Sequence, residues 1–115
     1  MFLLELEPEV EQWLLGLPAR EFGQAAFHLD LLADRGDALG FPHTSQLSGK
    51  LRELRCSVGG RATRLTYFVA GRERIVILTV FVKQRRHEGA QISRALRAME
   101  LCNVEGHTAD TKDVG

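Results

Sequence analysis

The chain has 115 residues, 44% hydrophobic and 26% charged, with fifteen bases cancelling fifteen acids. That is the size and balance of one globular domain, too rich in apolar residues for a disordered chain. Two cysteines build no disulfide framework, the acid at position five argues against a secretory leader, and the longest apolar run, residues 75–82, is far short of the roughly 20 residues of a membrane span. A cytoplasmic protein with reduced thiols is expected.

Residues 2–6 alternate weakly and read as a short strand. Glu7-Pro8-Glu9 opens a helix, because proline suits a first turn and acids suit the positive end of the dipole. Val10, Trp13, Leu14 and Leu17 share one face, and Gly16 and Pro18 end it. A second helix is predicted over residues 19–35, with Phe22, Ala25, Ala26, Leu29 and Leu32 as its stripe and Gly36 as its cap. Residues 37–49, with Gly, Pro, Ser and Thr, read as a loop.

Three strands follow, over residues 51–58, 62–69 and 74–82. Gly59-Gly60 is a hairpin turn between the first two, and residues 70–73 turn into the third. The third is nearly all β-branched or apolar, as expected of a central strand covered on both faces. A last helix is predicted over residues 88–104, and residues 106–115 read as a flexible polar tail. The fold class is α+β: one domain over residues 1–105 in the order β-α-α-β-β-β-α. A small antiparallel sheet would carry two helices on one face, and a C-terminal helix would complete it.

Zero net charge hides a segregation. Residues 1–49 hold eight acids and two bases, whereas residues 50–97 hold twelve bases and three acids. Such a basic block either carries a polyanion footprint or is neutralised within the fold by the acidic helices. Alternation puts Arg55 and Arg64 on the face opposite Leu54, Cys56 and Leu65, away from the two long helices. The third strand ends in Lys83-Gln84-Arg85-Arg86-His87. The expected product is a positive sheet face rimmed by a basic loop, suited to a phosphodiester backbone.

The chemistry on offer is narrow. No zinc-protease, P-loop or nucleophile-elbow motif is present, and no Cys/His spacing suits a metal. Cys56, His28 and Tyr67 read as core or structural residues, and His43 as an exposed loop residue. Acids are scarce in the basic block, which argues against two-metal phosphodiester cleavage. Metal-free RNA cleavage remains, with cations stabilising the scissile phosphate and a Lys, Arg, Tyr or His moving the protons. No metal and no cofactor is expected.

Leu51-Arg52-Glu53-Leu54-Arg55, Arg64-Leu65-Thr66-Tyr67 and Phe81-Val82-Lys83, in this element order, resemble the RelE/ParE toxin superfamily. Leu6-Glu7-Pro8-Glu9-Val10 with Trp13-Leu14, and Gln91-Ile92-Ser93-Arg94-Ala95, fit the HigB-like, phage-derived branch. The likeness covers residues 2–102. It implies the toxin of a type II toxin–antitoxin pair, a metal-independent endoribonuclease that cuts mRNA on the ribosome. The implied partner is a HigA-like helix-turn-helix antitoxin, through which alone the complex would meet operator DNA; no membrane partner is implied. Arg64, Lys83 and Arg85 match the catalytic cations. Lys50, Arg52, Arg55, Arg61, Arg86 and His87 are the expected RNA-binding set.

Two departures stand out. Gln84 replaces a second lysine, and Gly89 stands where a proline is common. No tyrosine follows Ala90 to serve as a general base, which leaves Lys83, Arg85 or His87 for the proton transfers. A ParE-like gyrase poison, and a catalytically degenerate toxin acting as a binding module or co-repressor, are the alternatives.

Overall fold

The computed structural model describes residues 1–84 and 88–105. Arg85, Arg86, His87 and the expected polar tail lie outside the described residues. The elements are β1 (Leu3–Leu6), α1 (Pro8–Leu15), α2 (Ala19–Arg35), a 3₁₀ turn (Gly36–Ala38), β2 (Thr44–Ser48), β3 (Leu51–Val58), β4 (Arg61–Val69), β5 (Arg74–Val82) and α3 (Glu88–Glu105). The α+β class and the order of the expected elements hold, with one strand added and with a mixed sheet in place of the expected antiparallel one, since β1 joins β5 in parallel. No helix among the described residues is long and apolar enough to cross a membrane.

The five strands form one sheet in the order β1-β5-β4-β3-β2. β1 runs parallel to β5, while β2 to β5 pair antiparallel in succession. The β3–β4 turn is Gly59-Gly60, both at positive φ (60° and 76°). A two-residue hairpin turn of this hand needs that region at both positions, and glycine enters it without strain.

Two cores sandwich the sheet. Val10 of α1 and Ala25, Leu29 and Leu32 of α2 pack on Leu54, Cys56, Leu65, Tyr67, Ile75 and Ile77. On the opposite face, Ala95 and Cys102 of α3 pack on Leu51, Phe68, Val76 and Leu78. Cys56 and Tyr67 are therefore core residues, as alternation suggested. Phe22, expected in the α2 stripe, is 39% exposed. Leu32, Leu54 and Leu65 are fully buried, so truncating any one to Ala costs about 2–5 kcal/mol.

The expected loop over residues 37–49 is corrected in part, because Thr44–Ser48 forms edge strand β2 against β3. Its sequence, Thr-Ser-Gln-Leu-Ser, has no apolar alternation to announce a strand. The ladder is supplied by β3, and buried Thr44 donates its hydroxyl to the Leu39 carbonyl (2.6 Å).

β1 ends at Leu6, so it covers only the first half of the β5 edge. Two side chains extend the cover. Glu9 Oε2 accepts the Val80 N–H (3.0 Å), and Arg94 Nη2 donates to the Val80 carbonyl (3.3 Å). Glu9 and Arg94 also meet each other at 2.6 Å. Helices on opposite faces of the sheet are thus tied together across its edge.

Candidate nucleic-acid interface

The face beneath α3 changes character from one end to the other. Successive cross-strand rows can be read from the register. At the apolar end Phe68 lies opposite Val76, under α3. Next comes Ser45–Glu53–Thr66–Thr79, across β2, β3, β4 and β5. Arg55–Arg64–Phe81 follows. Beyond it Ser57 lies opposite Ala62, and the Lys83 N–H donates to the Ala62 carbonyl (2.7 Å). The apolar packing of α3 therefore covers the Leu51–Phe68–Val76 end, and the cations occupy the other.

Arg55 and Arg64 come together on this face, and Lys83 follows the end of β5 with its N–H on the Ala62 carbonyl. Arg64 is nearly buried, at 8% exposure, while Arg55 and Lys83 are partly exposed. Arg55 and Arg64 are direct cross-strand neighbours, an unfavourable placement for two like charges. Glu53 offsets it. Its Oε2 lies 3.6 Å from Arg55 Nε and 3.8 Å from Arg64 Nε, and it accepts a hydrogen bond from the Ser45 hydroxyl at 2.9 Å. The Arg64 fork also donates from Nη1 to the Thr63 carbonyl (3.2 Å). Arg55 lies 5.6 Å from the ring centroid of exposed Phe41, within cation–π range. Lys83 Nζ is 3.9 Å from Glu88 at the start of α3. The surface is less bare than its composition suggests, since each of these cations has a carboxylate beside it.

Other expected members lie elsewhere. Arg52 projects to the opposite side of the sheet, where its guanidinium donates to the Tyr67 hydroxyl (3.3 Å) and the Thr44 hydroxyl (3.1 Å). It braces the core on the α2 side and does not join Arg64. Lys50 and Arg61 sit at the two ends of β3, beside the β2–β3 and β3–β4 turns, both exposed. Arg85, Arg86 and His87 are outside the described residues.

Reading the sequence missed Glu53, Ser45, Phe41 and Glu88. Glu53 had one available signal: it is the sole acid in residues 51–58 and shares the face of Arg55. Ser45 and Phe41 had none, because their part of the chain reads as a loop.

Two titratable groups outside this cationic face have shifted pKa values. Burial pushes the Cys56 thiol up to about 12, with the nearby Arg64 charge pulling the other way. Such a thiol is inert. His28 is held below its usual 6.5, first by burial and then by the His43 charge. It lines an open groove with Arg20, Gly23, Gln24, Phe27 and Ser57. That groove lies between α2 and the end of β3. Among the described residues no three His, Cys, Asp or Glu side chains gather as metal ligands.

A family model described as "Phage derived protein Gp49-like" matches residues 12–102. The crystal structure of the isolated Escherichia coli RelE toxin superposes with a TM-score of 0.57 at 10% identity, covering 84% of this chain and 99% of that one. The archaeal RelE–RelB complex from Pyrococcus horikoshii OT3 gives a TM-score of 0.53 at 19% identity, covering 74% of this chain and 98% of that one. No curated protein matches the chain. At these identities the two structures establish a shared fold.

Proposed function

The chain belongs to the phage-derived Gp49-like family and has the RelE toxin fold, and from that premise we propose that it is the toxin of a type II toxin–antitoxin pair, acting as a metal-independent endoribonuclease on ribosome-bound mRNA. The observation that carries this reading is the pairing of Arg55 with Arg64 at the end of the sheet beyond the apolar core under α3, with Lys83 just past the end of β5. Guanidinium forks match phosphate oxygens in shape and charge. Arg64, held against the sheet, would stabilise charge developing on the scissile phosphate, and Arg55 would hold a neighbouring one. Lys83 and Arg85 complete the cationic set, and Lys83, Arg85 or His87 moves the protons.

The partner in this reading is a small antitoxin of HigA-like, helix-turn-helix type. The Pyrococcus relative is itself seen in complex with RelB. An acidic segment laid over Arg55 and Lys83 would neutralise the face.

Primer extension on a defined mRNA, with and without translating ribosomes, tests the activity. Cuts inside the reading frame that need ribosomes are expected. Cuts on naked RNA would mean a free ribonuclease on the same scaffold. No cuts from a folded protein that still stops growth would move the target to gyrase or elsewhere. A second reading, a binding module without catalysis, is favoured by one observation: Glu53 and Glu88 already compensate the cations. No cuts and no growth arrest would select it.

A further inference from the structure

We infer that Glu53 is a positioning residue for the cationic face, holding Arg55 and Arg64 in the pose that meets phosphate; the inference deepens the ribonuclease reading and rests on it. Glu53 is only 4% exposed and sits in the row beside the two arginines. A buried carboxylate persists only where charges or hydrogen bonds compensate it. Here both kinds are present, from Arg55, Arg64 and the Ser45 hydroxyl.

The separations of 3.6 and 3.8 Å exceed hydrogen-bond length. Glu53 therefore restrains the forks by charge without occupying their donors. Buried Nε of Arg55, buried Nε of Arg64 and Glu53 Oε1 all lack a hydrogen-bond partner. A surface that needed only positive charge would gain from losing this acid. Its burial between the two cations instead fits a role in aiming them: without it, two like charges in register repel and swing apart.

Glu53→Gln tests this, because glutamine keeps the shape and can still accept from Ser45. Three quantities are read: mRNA cleavage by primer extension, binding of a single-stranded oligoribonucleotide across a salt series, and the arginine Nε–H resonances by NMR. Cleavage is expected to fall at least tenfold while RNA binding holds or tightens, since one negative charge is gone. The Arg55 and Arg64 Nε–H signals are expected to shift. Unchanged cleavage, or cleavage and binding falling together, overturns the inference. Should Glu53→Gln fail to fold, Ser45→Ala decides: a smaller loss of cleavage with binding kept supports it, and unchanged cleavage overturns it. If the wild-type protein cuts no RNA, the ribonuclease reading fails separately. The Nε–H signals alone then judge Glu53, and signals that stay put overturn its positioning role.

Discussion

Thr66 and Thr79 share a 2.6 Å hydroxyl–hydroxyl hydrogen bond in the middle of the sheet, and the register shift beside them decides which side Phe81 takes. Thr66 pairs with Thr79, but the next residue, Tyr67, pairs with Ile77, so Leu78 is an extra residue on β5. Side chains alternate strictly along an unbroken strand. Counting from Ile75 and Ile77, which face the α1–α2 core, strict alternation puts Phe81 on that side as well. The bulge reverses the phase and places Phe81 opposite Arg64. Bulges of this kind re-aim side chains near functional surfaces.

The threonine pair is itself open to test. Thr66 Oγ1 also accepts the Thr79 N–H at 3.2 Å. Thr66→Val strands both partners in a dry site and is expected to cost about 1–3 kcal/mol. Thr79→Val is expected to cost less. The double variant should cost less than the two single losses combined, because neither hydroxyl is then left unpaired. Urea denaturation of the four proteins checks this, and simple additivity counts against it.

Arg64→Ala and Lys83→Ala are each expected to abolish growth inhibition in folded protein. Arg64→Ala also removes one of the two cations beside Glu53, and should lower stability by about 1–3 kcal/mol. Arg64→Lys keeps the charge but not the fork, so cleavage should recover only in part. Growth curves with circular dichroism of the purified variants decide. Full toxicity in both alanine variants removes this face from the mechanism.

Glu9 and Arg94 are each more than a third exposed at the side chain, so their ion pair alone is worth less than about 1 kcal/mol. Their larger effect is local. Only the Glu9 carboxylate accepts the Val80 N–H. Hydrogen exchange at Val80 should therefore quicken strongly in Glu9→Ala and weakly in Arg94→Ala. Equal protection in all three proteins would show that the edge is held by something else.

His28 makes stability depend on pH. Its folded pKa lies below 6.5 because burial, and then His43, disfavour the imidazolium. The unfolded chain therefore binds a proton that the folded chain resists. Stability is full above about pH 6.5 and falls as the pH drops through the lowered folded value. Thermal melts at pH 7.5 and pH 5.5 should show a smaller difference in His28→Gln than in the wild type. The same difference in both proteins assigns the effect to other groups.

Much of the fold was legible because its signals are local. Residues 19–35, 51–58 and 74–82 match α2, β3 and β5 to the residue. A helix stripe, a Gly-Gly turn and a β-branched run each act within a few residues of themselves. The pairing of Arg55 with Arg64 on one face was also legible, since both follow from alternation on unbroken strands.

What stayed hidden depends on segments distant in the chain. β2 owes its existence to hydrogen bonds from β3, so its polar sequence carries no mark of it. Arg52 counted as one more base, yet Tyr67 and Thr44 draw it to the opposite side of the sheet. A charge count records that Glu53 is present; only the register of β2, β3 and β4 makes it the neighbour of Ser45, Arg55 and Arg64. One extra residue at Leu78 turns Phe81 over to the side of Arg64. Propensity and periodicity are properties of a single segment, whereas register belongs to pairs of segments, and the geometry of this cationic face is a matter of register.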